Sequence, residues 1–92
     1  MDNRKLKAVV LKVVDNQLRD LNPPETKQTY DRLRALGYSR AQARKLIGIV
    51  VAAEVFHVMT RKELFHYSRF AAALKKLPAV EDRVSSPQPE EN

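Results

Sequence analysis

Apolar residues recur at helical spacing along most of the chain. Between residues 4 and 21, Leu6, Val9, Val10 and Val13 share a stripe with Gln17. Leu11, Val14, Leu18 and Leu21 form a second stripe beside it, and Lys5, Lys12, Asn16 and Arg19 stay outside. The period predicts a helix. Four valines raise the local preference for strand, but this stretch is too long for an ordinary strand. Asn22-Pro23-Pro24-Glu25 ends it, because two prolines cannot donate to a helical ladder. The same residues open a second helix, with Asn22 expected as N-cap, Pro23 at N1 and Glu25 at N3. That helix carries a narrow stripe of Thr26, Tyr30, Leu33 and Leu36.

Gly37 suits the position after a helix, where positive φ costs glycine nothing. Ser39-Arg40-Ala41-Gln42 is a capping box: the serine accepts from the N3 amide and the glutamine reciprocates. A third helix from about Arg40 to Met59 is the centre of the protein. One face reads Gly48, Ile49, Ala52, Val55, Phe56, Met59; a second reads Leu46, Ile47, Val50, Val51, Glu54, His57, Val58. A helix apolar on two sides must be covered on two sides, by flanking helices or by a second copy of the chain. Gly48 and Ala52, four apart, would let another backbone come close. A break or new cap is expected at Thr60-Arg61-Lys62-Glu63. A last helix near His66 to Leu77 would pack Tyr67, Phe70, Leu74 and Leu77 before Pro78 stops it.

The expected fold is all-α: a small four-helix domain over residues 1–78, with a long apolar central third helix. Residues 79–92 are polar and acidic and are expected to form a disordered C-terminal tail.

Ninety-two residues suffice for one domain, and one this small buries only roughly 60% of its unfolded surface. The absence of cysteine excludes disulfides, thiolate metal sites and cysteine nucleophiles. The lysine-studded amino terminus lacks a signal-peptide core, and no apolar run is long enough for a membrane span, so a cytoplasmic address is expected. The formal charge of +6 is uneven. Glu81, Asp82, Glu90 and Glu91 face Arg83 alone, leaving −3 on residues 79–92 and +9 on residues 1–78. A basic body suits an anionic partner such as nucleic acid, although dispersed charges also simply solvate outer helix faces.

Candidate chemistry is sparse. A doubled E-x-x-H, Glu54 to His57 and Glu63 to His66, has the spacing used by carboxylate-bridged di-metal sites on two helices. An unbroken helix would put Glu54 and Glu63 on opposite faces. A break at Thr60 would make Glu63 the N3 residue of a cap, and the first helix offers no glutamate. No metal or cofactor is expected. Glu54, amid Ile47, Val50, Val51 and Val58, is a buried polar candidate that should pair with an arginine or lysine, accept from a tyrosine hydroxyl, or sit at a subunit interface. His57 reads as a satisfied core histidine and His66 as exposed near a helix start. With two glycines in all there is no phosphate loop, and there is no G-x-S-x-G elbow or H-E-x-x-H signature. An enzyme is not expected.

Residues 29–47 form helix, short glycine turn and helix, as in helix-turn-helix DNA binders. Leu36, Tyr38, Ala43 and Leu46 fall at plausible buried positions, and Arg40, Gln42, Arg44 and Lys45 would begin a recognition helix. Leu33 to Ala43 also resembles the first turn of ubiquitin-associated-type three-helix domains, whose leucine–glycine–aromatic loop contacts partners. The long third helix departs from that compact fold, so the ligand is not carried over. A broader resemblance rests on Val14-Asp15-Asn16-Gln17-Leu18-Arg19-Asp20, Asn22-Pro23-Pro24-Glu25-Thr26, Gly37-Tyr38-Ser39, Leu46-Ile47-Gly48, Glu54-Val55-Phe56 and Leu74-Lys75-Lys76-Leu77-Pro78. On these the chain resembles a group of small bacterial all-helical proteins without an assigned activity, which implies a cytoplasmic helical domain and no reaction. The expected role is a protein–protein interaction or scaffolding module acting through helix–helix contacts, with a homodimer among its forms. The interface candidates are Ile49, Ala52, Val55, Phe56 and Met59, provided that the chain's own helices leave that face uncovered. The alternative is a nucleic-acid binder using Arg40, Arg44 and Lys45.

Overall fold

A computed structural model describes residues 3–79 of the chain. They form four helices, α1 (Asn3–Asp20), α2 (Pro24–Ala35), α3 (Arg40–Arg61) and α4 (Tyr67–Lys76), and among the described residues there is no strand. The tail expected at 79–92 lies, apart from Ala79, outside the described residues.

Helices α2 and α3 each pack on all three of the others. Helices α1 and α4 each lean on both α2 and α3 but not on each other. The core draws Val10 and Val14 from α1, Leu33 from α2, and Ala43, Ile47, Val50 and Val51 from α3. Phe70 and Leu74 of α4 complete it, with Leu77 just beyond that helix. Helix α2 meets all its neighbours, and its buried residues are Thr26, Thr29 and Leu33. Tyr30 is only half-buried and Leu36 points to solvent, which corrects the stripe expected for this helix. Small threonines allow close approach on three sides where a tyrosine would not. The Thr26 hydroxyl donates to Gln17 Oε1 at 2.8 Å, so burial leaves it satisfied and ties α2 to α1.

The α2–α3 turn forms as the residues dictate. Gly37 takes φ +105°, Gly37 N–H bonds to Arg34 O at 3.0 Å, and Tyr38 N–H bonds to Leu33 O at 3.1 Å. That is a Schellman closure. The capping box follows at once: Gln42 N–H donates to Ser39 Oγ at 3.1 Å, and Ser39 N–H donates to Gln42 Oε1 at 2.9 Å.

Two boundaries differ from expectation. The N-cap of α2 is Pro23, with no side-chain cap bond, and Pro24 stands first in the helix. Asn22 is instead engaged in closing α1, its N–H bonded to Gln17 O at 3.1 Å. The break expected within Thr60-Arg61-Lys62-Glu63 occurs there, though not at Thr60 itself. The Thr60 hydroxyl donates back to Phe56 O at 2.8 Å, and α3 runs on to Arg61 before Lys62 ends it in the left-handed region at φ 54°. Helix α4 begins one residue later than expected, with the His66 ring as cap, its Nδ1 accepting from Arg69 N–H at 3.2 Å. Tyr67, expected in the core, is exposed there. At the other end, Arg32 of α2 donates to Leu77 O and, at 3.0 Å, to Leu74 O, which also accepts from Leu77 N–H.

Candidate functional site

The two apolar faces of α3 meet different fates. The face holding Ile47, Val50, Val51 and Glu54 is buried against α1, α2 and α4. On the other, Ile49 is 45% exposed, Val55 40%, Phe56 63% and Met59 72%, and Ala52 is half-buried. Only Gly48 of that face is buried. There α1 comes in so closely that a Cβ would lie 3.2 Å from Val10 Cγ1. Among the described residues, then, Ile49, Val55, Phe56 and Met59 are left open and Ala52 half-covered.

Residues of α1 outside the interface candidates are open as well. Leu6 is 49% exposed, and Val9, one turn on, is also open. Leu6, Val10 and Leu11 of α1 join Gly48, Ile49 and Ala52 of α3 to line an open groove of about 340 Å³. The remaining two lining residues are Lys7 and Lys45, one from each helix, both exposed. The sequence signal for the open α1 residues was the doubled stripe of that helix.

A second constellation sits where α3 hands over to α4. Glu54 is buried, 5% exposed, and carries the partner that its setting demanded. Arg69 donates to both of its oxygens, Nε to Oε1 at 3.0 Å and Nη2 to Oε2 at 2.8 Å. The His66 N–H adds a third bond to Oε2 at 3.0 Å. Arg69 also donates to Glu63 Oε1 at 3.1 Å. Glu63 is thus not the cap residue expected; the turn at Lys62 brings it beside Glu54, and both carboxylates converge on a guanidinium. The Arg69 bonds lower the Glu54 pKa from its ordinary value against the upward push of burial, with the His66 amide and His57 acting in the same direction as Arg69. Glu54 in turn raises Arg69. A carboxylate so stabilised in its charged form is a pin between helices and a poor proton donor.

His57 corrects another expectation. It is half-buried, and its Nδ1 is buried without a hydrogen-bond partner. It lies with Glu54, Arg69, Phe70 and Lys76 along an open α3–α4 groove of about 560 Å³, its ring edge-on to Phe56 with centroids 6.3 Å apart. Among the described residues no group of three or more His, Asp or Glu could hold a metal ion. The doubled E-x-x-H therefore assembles around an arginine.

The basic candidates of the helix-turn-helix reading are divided. Arg40 and Lys45 are exposed, but Arg44 is engaged bidentately by Asp15 of α1, both distances 2.9 Å. Gln42 is occupied by its cap. Of the positions expected to be buried in that motif, Ala43 is buried, Tyr38 and Leu46 are half-buried, and Leu36 is exposed. No helix of the described residues is long and apolar enough to cross a membrane.

Set against known protein families, curated proteins and solved structures, the chain matches none of them.

Proposed function

We propose that this chain is a non-catalytic protein–protein interaction module that docks a helix of a partner, a second copy of itself included. The docking face is Ile49, Ala52, Val55, Phe56 and Met59 of α3, with Leu6 and Val9 of α1. One observation carries the reading: the most apolar helix of the protein is covered on one side and bare on the other. Leu6, Val9, Ile49, Val55, Phe56 and Met59 each offer on the order of 100 Å² of apolar surface, so about 600 Å² stands open. That is at the upper end of what a monomer leaves in contact with water. It is a little less than one partner's share of a standard interface. The size fits a reversible contact.

The nucleic-acid reading has the +9 charge of residues 1–78 on its side. It loses Arg44 to Asp15, and a phosphate would have to displace that carboxylate.

The test is sedimentation velocity over a wide concentration range, on the wild type and on Phe56→Ser/Met59→Ser. Both replaced side chains are open to solvent, so the variant should melt within a few degrees of the wild type, as surface changes do. The wild type should sediment faster as concentration rises and the variant should not. A wild type that stays monomeric at millimolar concentration and a variant indistinguishable from it would remove the self-docking form of the proposal.

A further inference from the structure

The geometry points to a particular class of partner for the α1–α3 groove: an acidic amphipathic helix, laid with its apolar stripe on Leu6, Val10, Gly48, Ile49 and Ala52 and its carboxylates on Lys7 and Lys45. The inference rests on the docking-face reading and adds what that reading leaves open, the chemistry of the occupant.

Three observations lead there. The first is shape. The groove lies between two helices, and its α3 wall runs from Lys45 to Ala52, about 10 Å at 1.5 Å per residue. That suits about two turns of a helix, presenting apolar residues at i, i+3 or i+4, and i+7. The small side chain of Ala52 keeps the α3 wall low, so a ridge of a third helix can enter beside the Val10 and Leu11 side chains that cover Gly48.

The second is the distribution of charge. The groove is lined by six uncharged residues and by Lys7 and Lys45. The chain supplies no acid to these lysines from its described part. Asp15 is engaged by Arg44, Asp20 by Arg19, Asp31 by Lys27, and both Glu54 and Glu63 by Arg69. Glu25 sits near Tyr67 and Lys75, which lower its pKa, and its Oε1 is buried without a hydrogen-bond partner. None of these six carboxylates lines the groove. A partner that brings acids to its edges gains two ion pairs over desolvating apolar walls, and the lysines reject a partner with basic edges.

The third observation separates this partner from a second copy. A copy docking through the same groove would set Lys7 and Lys45 against Lys7 and Lys45, a like-charge juxtaposition that opposes association. A lipid surface would also supply negative charge, but it is flat, and a concave groove between helices is matched by a rod.

The test uses the full chain and two fluorescein-labelled synthetic peptides of about 18 residues, long enough for helicity on binding. Both carry the same leucine stripe; one is flanked by glutamates and the other by lysines. Fluorescence anisotropy is read at about 50 mM and about 300 mM salt. The wild type should bind the acidic peptide at least about tenfold more tightly than the basic one, with the preference shrinking at the higher salt. Lys7→Glu/Lys45→Glu, changing two exposed side chains, should keep its melting temperature and reverse the preference. Equal affinity for both peptides, or a preference unchanged by the double substitution, overturns the inference. Suppose neither peptide binds while the wild type self-associates and Phe56→Ser/Met59→Ser does not. The inference then falls and the docking face stands. If neither peptide binds and nothing self-associates, both fall. Binding to phosphatidylserine-containing vesicles with no binding to either peptide overturns the inference in favour of a lipid surface.

Discussion

Changing Glu54 to glutamine alters one atom of the α3–α4 pin and removes its charge. In the wild type, both carboxylate oxygens accept from Arg69, and Oε2 accepts also from the His66 amide. Glutamine can keep one acceptor there, but its amide nitrogen must face a donor, either an Arg69 N–H or the His66 N–H. Hydrogen bonds to a charged group contribute about 1.5–3 kcal/mol and neutral ones about 0.5–1.5 kcal/mol. Replacing one kind with the other, and adding a donor–donor conflict in a site only 5% exposed, should cost about 2 kcal/mol at neutral pH. For a domain of this size that is a fall of roughly 8–16 °C in melting temperature. The pH dependence is the sharper part. The folded-state pKa of Glu54 lies below its ordinary 4.5, so folding binds fewer protons than the unfolded chain does. Its contribution is therefore complete above the unfolded value and is lost as pH falls through the depressed folded value. Thermal melts by circular dichroism, from pH 7 down to about pH 2.5, should show wild type and variant well apart at neutral pH and drawing together as pH drops below the ordinary carboxylate range. A gap that stays constant down to the lowest pH, or a variant as stable as the wild type at pH 7, would refute the assignment of Glu54 as a charged interhelical pin.

Three further outcomes follow from the packing. Arg32→Met should leave the Leu77 carbonyl without its Arg32 bond and the Leu74 carbonyl with Leu77 N–H alone. It should cost about 2 kcal/mol, with hydrogen exchange of the α4 amides accelerated more than that of α1. Gly48→Ala asks Val10 to give by a few tenths of an ångström, so helix propensity of about 1 kcal/mol offsets most of the crowding and stability should change little. Gly48→Leu has no such room and should cost about 3 kcal/mol or more by prising α1 from α3, measured by urea titration.

The fold was legible where the cause is local. Ser39 and Gln42 make the cap that their spacing announces, and Gly37 makes the turn, because each completes a hydrogen-bond pattern within four residues. The two apolar faces of α3 were legible too, from periodicity. Which of them would be covered was not, since that depends on where α1 and α4 lie in space and periodicity describes one helix at a time. The need of Glu54 for a cation could be read from its neighbours. That Arg69 would supply it could not, because the chain reversal at Lys62 brings them together. The start of α2 was misplaced by one residue because either of two adjacent prolines can open a helix, and the tie that decides it, from Asn22 back to Gln17, belongs to the preceding helix. The groove lysines looked like any solvated charge until the acids of the described residues were seen to be engaged elsewhere.

The most direct test of the docking face is solvent paramagnetic relaxation of methyl groups in a dilute sample of the isolated chain. The methyls of Ile49, Val55 and Met59 should relax as fast as those of solvent-exposed side chains, while those of Ile47, Val51 and Leu74 are spared. If Ile49, Val55 and Met59 proved as sheltered as Ile47 in the monomer, the chain would be covering that face itself, and no helix could be docking there.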